Sequence, residues 1–359
     1  MAPKKQSKSK PGTMGRVQGY FSTLNKAWII LGAITMGLLV FTTATGGVNE
    51  NETIEIYNFK CQQTPNNELL LLDESPLNTD FDISTVAVDT EIYDLEVAKN
   101  EVKAISDPKT ISYEEADQCM EQDTEVLVVV QGDKVRVYPY KILNKHLIVN
   151  DTLGGLPILI TYCGLCDSYQ VYLREYNNEI MQFGYSGMLY KNSGLLFDTK
   201  TESLWSPFSG DAIVGDLSGA SLTKLPSTIM GYEAAKLNYP NADFLSYDTG
   251  FRQNYTRDSY EGYAVSEEPV IPVQNKSADF DPKELIVGFT YKNKQYATAK
   301  AILDSEKVVS KLDDGKRLVI KIHNSQVQLK IDHKVSDIPI EQAYWYVWYD
   351  YYPDTRIIK

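Results

Sequence analysis

The chain has 359 residues, of which 43% are apolar and 23% charged, enough for one large domain or two modest ones with hydrophobic cores. Its formal net charge is −13. Residues 1–26 contain six basic residues and no acidic one, so the acidic excess lies entirely beyond them. A domain this acidic repels phosphate backbones and has no basic stripe, so nucleic acid is excluded as an expected partner.

An apolar segment follows the basic tail. Residues 27–46 form a run of 20 residues without a charge, and a helix of that length crosses a hydrocarbon core of about 30 Å. Because Lys and Arg prefer the cytoplasmic side, we predict a single-pass membrane anchor with residues 1–26 in the cytoplasm and the C-terminal domain outside it. A cleaved signal peptide is the alternative. The sequence indicates the membrane as a partner. It does not specify a protein partner or a small-molecule substrate.

The remainder of the chain contains a divergent internal repeat. Residues 47–78 are rich in Asn, Glu and Pro and are interpreted as a stalk, and the ectodomain is predicted over 79–359. Within it, LIVGFTYKNKQYATAKAIL parallels the earlier VLVVVQGDKVRVYPYKIL, and the correspondence continues beyond both. We therefore predict two related β-rich lobes, one at about 105–250 and one at about 280–359.

Most segments of the ectodomain alternate apolar and polar residues with period two, as in SYQVYL, RLVIKI and QVQLKI. The predicted fold class is therefore mainly β (α+β), with short helices and one N-terminal transmembrane helix. The first short helix begins at a capping box formed by Ser112 and Glu115. Short helices are expected around residues 112–121, 139–146, 230–239 and 341–352.

The motif with the clearest chemical meaning is TYCGLCDS, which contains Cys163 and Cys166. Two thiols at this spacing close a small disulfide or bind one metal ion. A thioredoxin-like site needs a helix at this point, whereas DSYQVYL alternates like a strand. Three interpretations stay open: redox chemistry, metal binding, and a structural disulfide within the pair or to Cys61 or Cys119. The pair is predicted to begin an insert that reaches about Leu217 and that the second repeat lacks.

His146 is the residue that would complete a metal site. It lies 17 residues before Cys163, on the chain that turns back into the same strand. A set of His146, Cys163 and Cys166 would suit copper(I) or zinc. The alternative is an ordinary histidine that is hydrogen-bonded to a loop. His323 and His333 are expected to be solvated.

Other motifs indicate structure rather than chemistry. TESLWSPFSG places Glu202 and Trp205 at a predicted turn, where Glu202 is interpreted as a surface acid rather than a proton acceptor. Ser203 and Ser206 lack a G-x-S-x-G context, so a hydrolase triad has no support. The aromatic run over 344–353 is predicted to be core rather than a binding platform.

Together these motifs resemble the domain of unknown function 3179 family. The resemblance rests on FDIS, VRVYPYKIL, HLIVNDTLGGLPILITYC, SGMLYKNSGLLFDTKTESLWS and AYWYVWYDYYPDT, and it covers about residues 79–357. The family pattern at the cysteines is Thr-Tyr-Cys-Pro-Leu-Cys-Gly-Ser, so Gly164 and Asp167 depart from it. Lys145 replaces the Trp of the usual Asn-Trp-His, while His146 is retained. Because some relatives are selenoproteins, the resemblance implies redox or soft-metal chemistry at the cysteines.

The sequence therefore predicts a membrane-anchored, extracytoplasmic protein with a redox-active or soft-metal-binding site. Cys163 and Cys166 are the candidate catalytic residues, with His146 as a third ligand if copper or zinc is bound. The sequence does not decide whether the protein is an oxidoreductase. The alternative is a non-enzymatic surface module in which the two cysteines form a structural disulfide.

Overall fold

The protein is described by a computed structural model that covers residues 15–16, 81, 92–95 and 97–359. The predicted anchor (27–46), the stalk (47–78) and the cytoplasmic tail, apart from residues 15–16, lie outside the described residues. Within the described part of the chain, no helix is both long and apolar enough to cross a bilayer.

The fold is mainly β, as predicted, with its strands divided among several small sheets in a propeller-like arrangement. The strands are β1 (Gly15–Arg16), β2 (Tyr93–Asp94), β3 (Ile105–Ser106), β4 (Thr110–Ile111), β5 (Glu125–Gln131), β6 (Lys134–Pro139), β7 (Ile148–Leu153), β8 (Leu156–Cys163), β9 (Ser168–Leu173), β10 (Glu175–Tyr176), β11 (Glu179–Ile180), β12 (Phe183–Tyr190), β13 (Ser193–Asp198), β14 (Leu204–Trp205), β15 (Ala212–Val214), β16 (Thr228–Gly231), β17 (Asp243–Leu245), β18 (Leu285–Tyr291), β19 (Lys294–Ala299), β20 (Val308–Asp313), β21 (Lys316–His323), β22 (Gln326–Ile331), β23 (Lys334–Val335), β24 (Glu341–Tyr344) and β25 (Arg356–Ile357).

The helices are short. Among the described residues, no helix is longer than seven residues. They are α1 (Tyr113–Ala116), α2 (Tyr140–His146), α3 (Tyr232–Asn238), α4 (Glu261–Ala264), α5 (Lys300–Glu306) and α6 (Trp345–Tyr351). The predicted capping box of α1 is present, since the Ser112 side chain accepts from the backbone of Glu115 and the Glu115 side chain accepts in return. The patterns did not predict α4, and α5 was missed as a helix although it lies within the repeated sequence.

Hydrogen bonding joins the strands of the described residues into six sheets. Their orders are β1-β2-β12-β13-β14-β15, β10-β11, β16-β5-β6-β17-β4, β24-β18-β19-β25, β20-β21-β22-β23 and β3-β7-β8-β9. The largest apolar cluster includes Trp345 and Trp348 of the aromatic run, both nearly inaccessible to solvent. The prediction that this run belongs to the core is confirmed.

Two stretches of the chain share one topology, and they are called here the first unit (125–173) and the second unit (285–331). The succession β5, β6, α2, β7, β8 is matched by β18, β19, α5, β20, β21, with equal lengths at every step. Each unit begins with a strand that pairs antiparallel with a later edge strand, β16 or β24. The helix of each unit, α2 or α5, ends at a residue with a left-handed backbone conformation, Leu147 or Lys307. The repeated sequence pattern therefore corresponds to a repeated topology.

The structure corrects the position of the insert. β8 pairs with β9 as β21 pairs with β22, so Cys163 lies opposite Ser168 and only residues 164–167 form the turn. The second unit turns through Asn324 and Ser325. The prediction that the insert begins at Cys163 is wrong, because the alternating SYQVYL continues the sheet. The additional stretch begins after β9 and contains β10 to β15.

Candidate functional site

The two predicted cysteines lie in the turn between β8 and β9, where they are linked by a disulfide. Cys163 ends β8 and retains 7% exposure, whereas Cys166 is fully buried. The backbone N–H of Cys166 donates to the carbonyl oxygen of Cys163 at 3.1 Å, which closes the turn. Cys119 is also disulfide-bonded, so none of the described cysteines is free.

The far side of the turn is held by the aromatic segment near the C-terminus. The N–H of Tyr344 donates to the carbonyl oxygen of Cys166 at 2.8 Å. The hydroxyl of Tyr346 donates to the carbonyl oxygen of Leu165 at 2.7 Å. The start of α6 therefore fixes the backbone of the cysteine turn.

A small cavity adjoins Cys163. Its volume is about 50 Å³, room for a few water molecules, and its walls are mostly apolar. Cys163, Gly164, Leu165 and Tyr260 are among the residues that line it. Cys163 therefore borders the cavity, whereas Cys166 is not among the residues that line it.

A loop called here the covering segment (residues 249–260) lies over the turn and accounts for one departure from the family pattern. The ring of Tyr260 lies so close to Gly164 that a Cβ atom there would be 2.2 Å from a ring carbon. A proline at this position would meet the same ring. The second departure, Asp167, has φ of 47°, the left-handed region in which Gly is favoured and Asp is tolerated.

The end of α2 holds the covering segment in place. The Asn144 amide donates to Asp258 at 2.8 Å and accepts from the N–H of Ser259 at 2.9 Å. The ammonium of Lys145 donates to Ser259 at 2.8 Å, and the hydroxyl of Tyr140 donates to Asp258 at 2.7 Å. Sequence patterns do not identify Asp258 and its neighbours as site residues, because the covering segment has no periodic pattern. The signal that was available is the Asn-x-His motif at the end of α2.

His146 continues this set of contacts and does not face the cysteines. Its Nδ1 lies 2.8 Å from the carbonyl oxygen of Lys103, and its Nε2 lies 2.8 Å from the hydroxyl of Tyr255. Burial lowers the pKa of His146 to about 4, with a smaller opposing effect from the Lys103 carbonyl. The ring is therefore neutral, with Nδ1–H donating to Lys103 and Nε2 accepting from Tyr255.

These contacts occupy both nitrogens that a metal would need. No group of three or more His, Cys, Asp or Glu side chains in the described part of the chain could hold a metal ion. Binding of copper or zinc by His146, Cys163 and Cys166 therefore stays a prediction that the observed contacts do not support. The alternative interpretation of His146, a histidine hydrogen-bonded to loops, describes its contacts.

Acidic and phenolic groups surround the other side of the turn. Burial raises the pKa of Asp167 to about 7, with further upward contributions from Glu125 and Asp258 and an opposing hydrogen bond from Tyr162. The Glu125 carboxylate accepts from the hydroxyl of Tyr169 at 2.6 Å. A carboxyl group that titrates near neutrality beside Cys166 in the chain is suited to accept or supply a proton.

The remaining residues singled out in the sequence lie away from this site. Glu202 is largely exposed and forms a salt bridge with Lys99, as a surface acid does, and Trp205 is fully buried. His323 and His333 are exposed, as expected.

Comparison with known proteins gives a family but no annotated relative. Neither the curated proteins nor the solved structures contain a match. A family model described as Protein of unknown function (DUF3179) matches residues 99–335, well over half of the chain. The matched range contains both units, the cysteine turn and the covering segment. The chain therefore belongs to the DUF3179 family.

Proposed function

We propose that this protein is a thiol–disulfide redox protein whose centre is the Cys163–Cys166 pair. The observation that carries the proposal is the asymmetry of the pair: Cys163 lines a cavity, whereas Cys166 is buried behind it. In dithiol chemistry one sulfur is attacked and the other leaves, so one accessible and one protected sulfur suits the reaction.

The substrate class is a protein or peptide dithiol. One substrate thiolate attacks Sγ of Cys163, the Cys163–Cys166 bond breaks, and Cys166 leaves as a thiolate that takes up a proton. The second substrate thiolate then attacks the substrate sulfur of the mixed disulfide and releases Cys163, which is protonated in turn. The substrate is oxidised to a disulfide, and the pair gains two electrons and two protons. Asp167 is the proposed proton donor to Cys166.

A structural disulfide is the second candidate. Its support is the depth of the pair and the two hydrogen bonds that Tyr344 and Tyr346 make to the turn. Chain entropy argues against a purely structural role, because closing a loop this short stabilises a protein by only about 2 kcal/mol, against about 3 kcal/mol for a 15-residue loop. The redox proposal is preferred on that ground.

A redox titration of the full chain separates the two candidates. The protein is equilibrated across a glutathione series, and the thiols of Cys163 and Cys166 are counted by alkylation and mass spectrometry, with metal content measured on the same sample. A potential above about −250 mV supports a redox centre. Resistance to reduction below about −300 mV, without bound metal, leaves the structural disulfide. Cys166→Ser is the control, since it removes the pair but keeps Cys163.

We also propose where the protein is located and how its C-terminal domain is organised. The basic tail (1–26) and the uncharged run (27–46) support a single-pass anchor with the redox domain outside the cytoplasm, where disulfides persist. The matched units support two lobes, about 105–250 and 280–359, from one duplicated ancestor. Protease treatment of intact cells tests the location, because digestion of the C-terminal domain from outside is expected and its full protection would contradict the proposed orientation.

A further inference from the structure

A second and larger cavity lies between the two units. Its volume is about 280 Å³, near the lower end of the range for small-molecule sites. Helix α5, the edge strands β16 and β24, and the β21–β22 hairpin bound it. Leu303, Ile322 and Val327 give it an apolar wall. None of the chemistry assigned to the cysteine turn uses this space.

A glutamine side chain lines this cavity. Gln342 is only 6% exposed and lines the cavity. Its carboxamide forms no hydrogen bond to any residue that the structure describes. Because a carboxamide has both a donor and an acceptor, Gln342 offers both to a ligand in the cavity.

A carboxylate without an ion-pair partner lies in the same cavity. Glu125 accepts a hydrogen bond from Tyr169, but within the described part of the chain no Lys, Arg or His nitrogen lies within 4.0 Å of it. The nearby ammonium of Lys300 is taken by Asp304 at 2.6 Å. Asp123 adds a second negative charge at the exposed edge of the cavity. The cavity therefore offers a cation a carboxyl group that has no ion-pair partner within the described part of the chain.

Glu341, another acid that lines the cavity, has an ion-pair partner. Glu341 is buried and accepts from the ammonium of Lys224 at 2.6 Å and from the amide of Gln170 at 3.1 Å. Burial raises the pKa of Glu125, with the Tyr169 hydrogen bond and Lys300 opposing the rise. A cation that binds Glu125 would stabilise the ionised form that burial disfavours.

The first unit shows how the corresponding space is used when it is filled. Tyr140 and Asn144 occupy the helix positions that Lys300 and Asp304 occupy in the second unit. Both residues of the first unit bind the carboxylate of Asp258 from the covering segment. The second unit pairs its two helix residues with each other instead and leaves the adjoining space open.

We propose that the cavity of the second unit binds a small organic molecule with a primary ammonium group at one end and an amide at the other. The ammonium group pairs with Glu125, the amide with Gln342, and the connecting methylene groups lie on Leu303 and Val327. Two aromatic rings also connect the site to the cysteine turn. Tyr169 packs on Tyr162 with ring centroids 4.7 Å apart, and Tyr162 lines the cavity at Cys163.

The probe for this site is 6-aminohexanamide, tested on the full chain at pH 8. Binding is measured by saturation-transfer NMR and by calorimetry. A dissociation constant of about 1 mM is expected for so small a ligand. Hexanamide, which lacks the amine, is expected to bind at least tenfold more weakly. Equal binding of the two compounds, or no binding of the amine, overturns the proposal.

The matched variants locate the binding. Glu125→Gln keeps an acceptor for the Tyr169 hydroxyl while removing the charge, and it is expected to weaken binding tenfold or more. Gln342→Leu removes the amide contact and is expected to weaken the binding severalfold. Glu114→Gln, on the exposed face of α1, is the control and leaves the affinity unchanged. Thermal unfolding shows whether each variant is folded, and unchanged affinity in folded Glu125→Gln overturns the proposal.

Discussion

The ring of Tyr260 lies directly over the backbone of Gly164, at a distance that leaves no room for a Cβ atom. This contact joins the covering segment to the cysteine turn. A side chain at position 164 and the present position of Tyr260 therefore exclude each other. The same steric overlap therefore explains why glycine stands at position 164, where the family pattern has proline, and how the Tyr260 ring packs against the turn.

Gly164→Ala is expected to destabilise the protein by about 1–3 kcal/mol, because the new methyl group overlaps the Tyr260 ring. The measurement is urea unfolding at pH 7. In the double variant Gly164→Ala, Tyr260→Ala, the cost of the added methyl group should largely disappear, which makes the pair non-additive. Gly262→Ala is the control, since nothing lies within 4 Å of its Cβ position. Additive losses at 164 and 260 would contradict the overlap.

Asn144→Ala is expected to release the covering segment. The substitution removes the hydrogen bonds to Asp258, Ser259 and Tyr140, at about 1 kcal/mol each. Amide hydrogen exchange at residues 258–260 should accelerate roughly tenfold to a hundredfold, and dithiothreitol should reduce the disulfide faster.

The control for this prediction is Asn238→Ala, which removes an amide bonded to Ala234 and Asn324 far from the turn in sequence. Its exchange at residues 258–260 should match that of the unsubstituted protein. If Asn144→Ala leaves both exchange and reduction unchanged, the covering segment is not held by α2.

His146→Gln is expected to flatten the loss of stability in acid. The pKa of His146 is lowered to about 4, so between about pH 6.5 and pH 4 the unfolded chain binds a proton that the folded protein does not. Stability from this residue is therefore present at neutral pH and is lost as the pH falls through that window, by up to about 3 kcal/mol. Urea unfolding from pH 7 to pH 4 measures the slope.

The glutamine variant cannot titrate, so its stability should fall less over that range, whatever its stability at pH 7. His323→Gln changes an exposed ring at a hairpin tip and serves as the control. Identical slopes for the protein with and without His146 would show that this ring is not held neutral by burial.

Asp167→Asn is expected to change the pH dependence of stability in the opposite direction, because the pKa of this carboxyl group is raised rather than lowered. The pKa of Asp167 is raised to about 7, so between about pH 4 and pH 7 the folded protein keeps a proton that the unfolded chain has lost. Stability from this carboxyl is present at low pH and is lost as the pH rises to about 7, by up to about 4 kcal/mol. Asparagine cannot ionise and tolerates the left-handed backbone, so the variant should gain relative stability from pH 4 to pH 8.

Unfolding in urea at pH 4, 6 and 8 checks this expectation. Asp133→Asn, at an exposed turn, is the control. A stability difference between Asp167→Asn and the unsubstituted protein that does not change with pH would show that folding does not raise the pKa of Asp167. The same variant is expected to slow reduction of the disulfide at pH 7, as the proposed proton donor is removed.

Much of the framework follows from local patterns in the sequence. The period-two alternation of RLVIKI and QVQLKI, the Ser112–Glu115 capping box and the repeated hairpin each depend on neighbours within a few residues. Such contacts are encoded where they occur, so the mainly β fold and the helices α1, α2, α3 and α6 could be predicted. Local composition is likewise the basis on which the anchor and the stalk are predicted.

The surroundings of the cysteine pair were decided by tertiary structure. His146 contacts Tyr255, which lies 109 residues away, and Asn144 contacts Asp258, which lies 114 residues away. No local periodicity specifies such pairs, because they form only when the loop that carries one partner packs against the helix that carries the other. The sequence by itself determined which residues have the chemistry for a site. Tertiary packing decided that His146 holds a loop and that Tyr260, through Gly164, covers the disulfide.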